Sequence, residues 1–184
     1  MRGGPEDGEL ARRAAMGDSE AFGVLVDRHA GSARRVARTI LDDLHDADDA
    51  AQEGFLAAWL AIGKYDPRQP FAPWLLRIVI NEARDLRRRR TVRTTTSIPL
   101  SIEARGQGPE AATDAALIGD RLRVALAALP ERQRMVVMLF DAEGWAHGEI
   151  GGLLGIPDGT VRSELHHARR TLRQSLEGLW RERS

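Results

Sequence analysis

The sequence predicts an all-α fold: two small helical domains joined by a flexible linker, the C-terminal one a helix-turn-helix. Apolar residues recur at spacings of three and four through most of the 184 positions, the period of amphipathic helices. No stretch alternates apolar and polar residues as a half-buried strand does. Between the periodic segments, residues 91–113 lose the period and gather threonine, Pro99, Pro109, Gly106 and Gly108, the composition of a connector. The length suits one domain or two small ones. With 42% hydrophobic and 29% charged residues, the chain has material for a core and the balance of a soluble globular protein.

The first periodic segment holds Phe22, Leu25, Val26, Ala33, Val36, Ala37, Ile40 and Leu41, with a start at Ser19-Glu20-Ala21. A second helix runs from about Asp46 to Leu60, with Ala47, Ala51, Phe55, Ala58 and Trp59 on its buried face and Asp49, Gln52, Glu53 and Leu56 on another. Gly63 and Tyr65-Asp66-Pro67 end it. A third begins near Phe71 with Pro73 in its first turn, buries Trp74, Leu75, Ile78, Val79 and Leu86, and continues into an arginine run. Fully extended, the linker 91–113 would reach roughly 76 Å at about 3.3 Å per residue, so the second domain need not touch the first. Beyond it, Leu117, Leu122, Leu126 and Leu129 predict a helix ending at Pro130, and Arg134 to Asp141 another around Met135, Val136, Leu139 and Phe140. A short helix Gly148 to Leu154, the turn Gly155-Ile156-Pro157 and an N-cap at Asp158 lead to a long helix carrying Val161, Leu165, Ala168, Leu172, Leu176 and Leu179.

Composition excludes several classes. The absence of cysteine removes disulfide scaffolds, thiol nucleophiles and cysteine-held zinc, and points to a reducing compartment. Met1 to Leu10 is polar and no run of 18 apolar residues occurs, so neither export nor membrane insertion is expected and the location is cytoplasmic. The 27 basic and 27 acidic residues cancel, so attraction to nucleic acid must come from local patches or be assisted by a partner. Such patches exist: residues 42–53 are acidic without a basic residue, and residues 84–93 carry six arginines against Asp85.

Three constellations stand out. Burying Val161, Leu165 and Ala168 turns Arg162, Ser163, His166, Arg169, Arg170 and Arg173 outward, as a groove-reading helix requires; an ordinary amphipathic helix with a solvated basic face has the same period. Arg77, Asn81, Arg84 and Arg88 share one face of the third helix, suited to a phosphate backbone, with Trp74 near enough to stack on an unpaired base; a solvated charged face is the plainer alternative. Asp48, Asp49, Gln52 and Glu53 would repel DNA and fit a basic protein surface, with Phe55, Leu56 and Trp59 as apolar anchors; acids favoured by the helix dipole are the simpler account. Catalytic readings fail: His29, His45, His147, His166 and His167 lack H-E-x-x-H spacing, no Walker-type loop occurs and no serine has G-x-S-x-G context. No enzyme activity, cofactor or metal is expected.

The run from Asp46 to Trp59, then Tyr65-Asp66-Pro67 and Phe71 to Asn81, resembles domain two of the extracytoplasmic-function group of bacterial sigma factors. Leu126 to Arg134, Glu149-Ile150 and Leu154 to Ser163 resemble domain four of the same group. The resemblance implies a transcription initiation factor with domain two at 1–90, linker 91–113 and domain four at 114–184. It implies that Asp48, Asp49, Gln52, Glu53, Leu56 and Trp59 bind core RNA polymerase at its β′ coiled-coil, with the β flap as a further contact. Lys64, Tyr65, Asp66, Arg68, Trp74, Arg77, Asn81, Arg84 and Arg88 would meet the minus-ten element, one base being captured by the loop from Lys64 to Pro70. Asp158, Thr160, Arg162, Ser163, His166, His167 and Arg170 would meet the minus-thirty-five element. Promoter DNA and an anti-sigma protein are the further partners implied, with the free factor a monomer. Glu164 stands where the group usually has a second arginine, placing an acid near the groove, and Gly148, Gly151 and Gly152 weaken a helix by up to about 1 kcal/mol each. A stand-alone helix-turn-helix regulator with an N-terminal interaction module is the alternative.

Overall fold

A computed structural model of the chain describes residues 5–96 and 114–181. Every regular element among them is helical. The first domain comprises α1 (Pro5–Ala15), α2 (Ser19–Arg38), α3 (Leu44–Ala61), a 3₁₀ turn (Ile62–Lys64) and α4 (Phe71–Thr96). The second comprises α5 (Asp114–Ala127), α6 (Glu131–Val137) running into a π-helical turn (Met138–Ala142), α7 (His147–Leu154) and α8 (Asp158–Arg181).

Caps set the starts of α2 and α3. Asp18 Oδ1 accepts from Ala21 N at 3.0 Å and Asp43 Oδ1 from Asp46 N at 3.0 Å, contacts that typically stabilise a helix by about 1 kcal/mol. The cap of α2 thus lies one residue before the expected Ser19. Leu25, Val36, Ala47, Leu75 and Val79 are wholly buried where α2, α3 and α4 meet. At Gly54 a Cβ would lie 2.7 Å from Val79 Cγ2, so the missing side chain lets α3 and α4 approach closely. Phe55 and Trp59, expected in the core, are half-buried at its edge, as are Trp74, Ile78 and Leu86.

Two elements differ from expectation. α1 was not foreseen, because its contact surface is Gly8, Ala11, Ala14, the buried Asp7 and the half-buried Leu10, with no stripe of large apolar residues. α4 runs through Thr96, six residues into the expected linker, since Thr91 to Thr96 lack any glycine or proline to stop it; the rest of that linker lies outside the described residues.

In the second domain Ala125, Leu129, Met135, Val136, Leu139, Ile150, Val161, Leu165 and Ala168 are buried. Leu122 is exposed, contrary to its place in the expected stripe, and the expected Leu117 and Leu179 contacts lie outside the described side chains. Gly155 at φ +68° ends α7 in the left-handed region that favours glycine. A Cβ on Gly151 would meet Ile156 O at 2.7 Å, so the tight turn needs this glycine despite its poor helix propensity. Asp158 lies in the first turn of α8 rather than capping it from outside.

The domains touch, although the linker's reach does not require it. Ser32 Oγ donates to Glu143 Oε2 at 2.6 Å and Arg35 pairs with the same carboxylate. Arg84 and Arg87 reach Glu131 at 2.8 and 2.6 Å. Arg77 Nη2 donates to Gly152 O at 2.8 Å, and Arg134 Nη1 lies 3.5 Å from Asp42.

Candidate nucleic-acid and polymerase interfaces

α3 presents one row of exposed side chains, Asp49, Gln52, Glu53, Leu56 and Leu60, at offsets of 0, +3, +4, +7 and +11 along a single helix face. Leu60, missed in the sequence, is 85% exposed and Leu56 58%. Its position one turn beyond Leu56 was the available signal. Asp48 stands aside, 3.5 Å from Arg38 Nη2 and half-buried. Trp59 packs edge-to-face on Phe22 at 5.0 Å, which leaves it a support more than a free anchor. Beside the row, a groove of about 1170 Å³ opens between α3 and α4, with Gln52 and Glu53 on one wall and Glu82, Leu86 and Arg89 on the other. Asp46, adjacent in sequence to this row, is buried and ion-paired to Arg90 of α4.

The loop after α3 is built on an aromatic cluster. Tyr65 is buried, 5.4 Å from Phe71 and 5.1 Å from Trp74 between ring centres, and its hydroxyl donates to Gln69 O. Burial first, then the charges of Asp7 and Asp66, pushes the Tyr65 phenol up. Asp66 accepts from Arg68 N at 3.1 Å and pairs with its guanidinium at 2.9 Å. Hydrogen bonds from the Arg68 side chain and backbone hold the Asp66 carboxyl below its ordinary value. Lys64 and Arg68 are exposed, and Trp74 is half-buried. Tyr65 and Trp74 thus shape the loop, while Lys64 and Arg68 project from it.

Along α4, Arg77, Asn81, Arg84 and Arg88 are all exposed on one face, as their spacing predicts. Two of these arginines are engaged by the second domain, Arg77 by Gly152 O and Arg84 by Glu131; Arg88 pairs with Asp85 of its own helix. Burial alone would push the Glu131 carboxyl up, but hydrogen bonds from Arg84 and Arg87 outweigh it and hold it below its ordinary value. Glu143 behaves alike: burial is outweighed by Arg35 and Ser32.

On α8, Asp158, Arg162, Ser163, His166, His167 and Arg170 are exposed and Thr160 is half-buried. Ser163 Oγ donates back to Thr160 O at 2.9 Å. A groove of about 550 Å³ runs beside them past His147 and Arg173. Arg169 is turned aside, paired with Asp141 and 5.2 Å above the Phe140 ring. Glu164, a concern from the sequence, is half-buried, with Oε1 3.7 Å from Arg132. It leans toward α6, and its charge is compensated there rather than projected with Arg162.

An acidic, partly apolar helix face, an arginine-faced helix beside an aromatic-anchored loop, and a basic helix-turn-helix on a second domain together define a helical DNA-binding protein with a protein-docking face. Comparison with known proteins narrows this class. Residues 25–93 match the Sigma-70 region 2 family and residues 119–172 the Sigma-70, region 4 family. The chain is 37% identical to the RNA polymerase sigma factor NccH of Alcaligenes xylosoxydans xylosoxydans over 93% of its own length and 95% of that protein's. It is 30% identical to the ECF RNA polymerase sigma factor SigW of Bacillus subtilis over 91% and 95%. Its structure matches that of CnrH in complex with the cytosolic domain of CnrY, with a TM-score of 0.72, 32% identity, and coverage of 94% of this chain and 98% of that one. The chain belongs to the extracytoplasmic-function (ECF) RNA polymerase sigma factors, and is a promoter-specific transcription initiation factor. Among the described residues no helix is long and apolar enough to cross a membrane.

Proposed function

We propose that the α3 row Asp49, Gln52, Glu53 and Leu56, with Asp48 and Trp59 behind it, docks on the β′ coiled-coil of core RNA polymerase, and that the second domain meets the β flap. The observation that carries this reading is the open α3 face: acids and leucines are presented together to solvent, a combination that suits a basic, partly apolar protein surface and repels DNA. Domain two then spans residues 1–90 and domain four 114–184. The loop 64–70 and the α4 row Arg77, Asn81, Arg84 and Arg88 take the minus-ten strand, the loop capturing one unstacked base. The α8 residues Arg162, Ser163, His166, His167 and Arg170, with Asp158 and Thr160 at its start, read the minus-thirty-five element in the major groove.

The closed contact between the domains fits this function energetically. The ion pairs between the domains join exposed arginines to half-buried carboxylates and contribute on the order of 1 kcal/mol each, whereas nanomolar association with a partner supplies about 12 kcal/mol. Docking on the open α3 face would bind closed and separated forms alike and shift neither; simultaneous engagement of the second domain by the β flap favours the separated form and frees Arg77 and Arg84. The factor itself performs no covalent chemistry; RNA synthesis belongs to the core enzyme, in the cytoplasm. CnrH is seen with the cytosolic domain of CnrY, and we infer a comparable inhibitory partner for this chain, which is otherwise a monomer. Promoter selection from a random library by holoenzyme tests the recognition helix: Arg162→Ala should relax preference at one upstream position, where a good bidentate base contact is worth about 1–3 kcal/mol. Unchanged selection would remove α8 from that role.

A further inference from the structure

The N-terminal helix α1 buries an acidic side chain where its size gives little reason for one. Asp7 is 1% exposed, on a helix whose wholly buried apolar side chains are Ala11 and Ala14. A buried carboxylate is unfavourable unless both oxygens are engaged, and here both are. Oδ1 accepts from Arg28 Nη1 at 2.7 Å and Oδ2 from His29 Nε2 at 2.8 Å. His29 is itself buried, its ring 5.3 Å from that of Phe71, the first residue of α4. Phe71 in turn packs edge-on against Tyr65, whose hydroxyl closes the loop onto Gln69. A second, direct contact runs alongside: Gly8 is buried, and a Cβ there would lie 3.1 Å from Pro67 O, in the same loop. Between α1 and the loop lies a cleft of about 390 Å³, bordered by Ala11, Met16, Ile62, Gly63 and Pro67.

We propose that α1 is part of the minus-ten site, with Asp7 and Gly8 as positioning residues that fix the conformation of the loop 64–70 and hence which base it captures. Asp7 pins the helix through His29 and Arg28, and Gly8 allows that helix to lie against the loop backbone. The inference rests on the reading of this loop as the minus-ten contact.

The test uses the full chain assembled with core polymerase on a promoter fork carrying 2-aminopurine at the captured position. Its fluorescence reports unstacking, and competition with the other bases at that position gives a selectivity ratio. Asp7→Ala should lower that ratio about tenfold and Gly8→Ala by a smaller factor, since errors of about 1 Å in positioned groups cost up to 10²-fold. Asp7→Asn, whose amide oxygen still accepts from Arg28 and whose amide nitrogen donates to Nε2 of the other His29 tautomer, should restore most of it, and affinity for core polymerase should stay unchanged in all three. If Asp7→Ala fails to fold, Gly8→Ala decides alone, because it leaves the buried pair in place and presses only on Pro67. Wild-type selectivity in the variants that fold, while Asp66→Ala in the loop reduces it, would overturn the role of α1. Wild-type selectivity in Asp66→Ala as well would overturn the loop reading and the inference together.

Discussion

Two helices of the first domain, α3 and α4, pack against each other through Gly54 and Val79 yet present their charges differently. α3 leaves Asp49, Glu53, Leu56 and Leu60 open to solvent, whereas Arg77 and Arg84 of α4 are engaged by the second domain. The anionic face is open, and two arginines of the cationic face are occupied by the second domain. With zero net charge and this contact in place, the free chain should bind DNA weakly, which makes polymerase docking the natural first step.

Charge reversal on the open side gives the largest expected effect. Asp49→Lys with Glu53→Lys should weaken core polymerase binding by about 10- to 100-fold, 1.4 kcal/mol being a factor of ten, with the melting temperature unchanged. Titration of core enzyme with each variant reads this, and equal affinity would remove α3 from the interface. Gly54→Ala attacks the packing shared by both helices. Its Cβ would stand 2.7 Å from Val79 Cγ2, and overpacking of this kind costs about 1–3 kcal/mol, visible as a lower urea midpoint.

At the contact between the domains, Glu131→Lys with Glu143→Lys should separate them. Energy transfer between dyes on α2 and α8 would fall, and affinity for a single-stranded minus-ten oligonucleotide would rise several-fold, each pair being worth on the order of 1 kcal/mol. The smallest effect is with pH. Both glutamates titrate below their ordinary value in the closed form, so the open form binds protons more readily. The contact is therefore at full strength above the ordinary glutamate pKa and is lost as pH falls through the lowered values. Energy transfer should drop over that window while helicity persists; a drop instead above neutrality would contradict the assignment of these carboxylates.

Much of this arrangement was legible in the sequence. α2 and α8 have long three-and-four periods with Leu25, Val36, Val161 and Leu165 buried as expected, because large apolar residues on a repeating face leave few alternatives. The outward rows on α3, α4 and α8 followed from the same geometry. α1 was illegible because its anchor is a pair 22 positions apart, Asp7 with His29, and its apolar contacts are mostly alanine. The engagement of Arg84 by Glu131 and of Arg35 by Glu143 spans 47 and 108 positions, which no local period encodes. Glu164 misled for a related reason: its half-buried orientation depends on Arg132, on another helix.

The most direct test of the account is a titration of the labelled, inhibitor-free chain with bacterial core RNA polymerase in the absence of DNA, followed by fluorescence anisotropy, with the Asp49→Lys, Glu53→Lys variant in parallel. Saturable binding in the nanomolar range is expected for the wild type, and at least about tenfold weaker binding for the variant. No binding by a folded wild-type chain, or binding that the α3 reversal leaves untouched, would refute docking through α3.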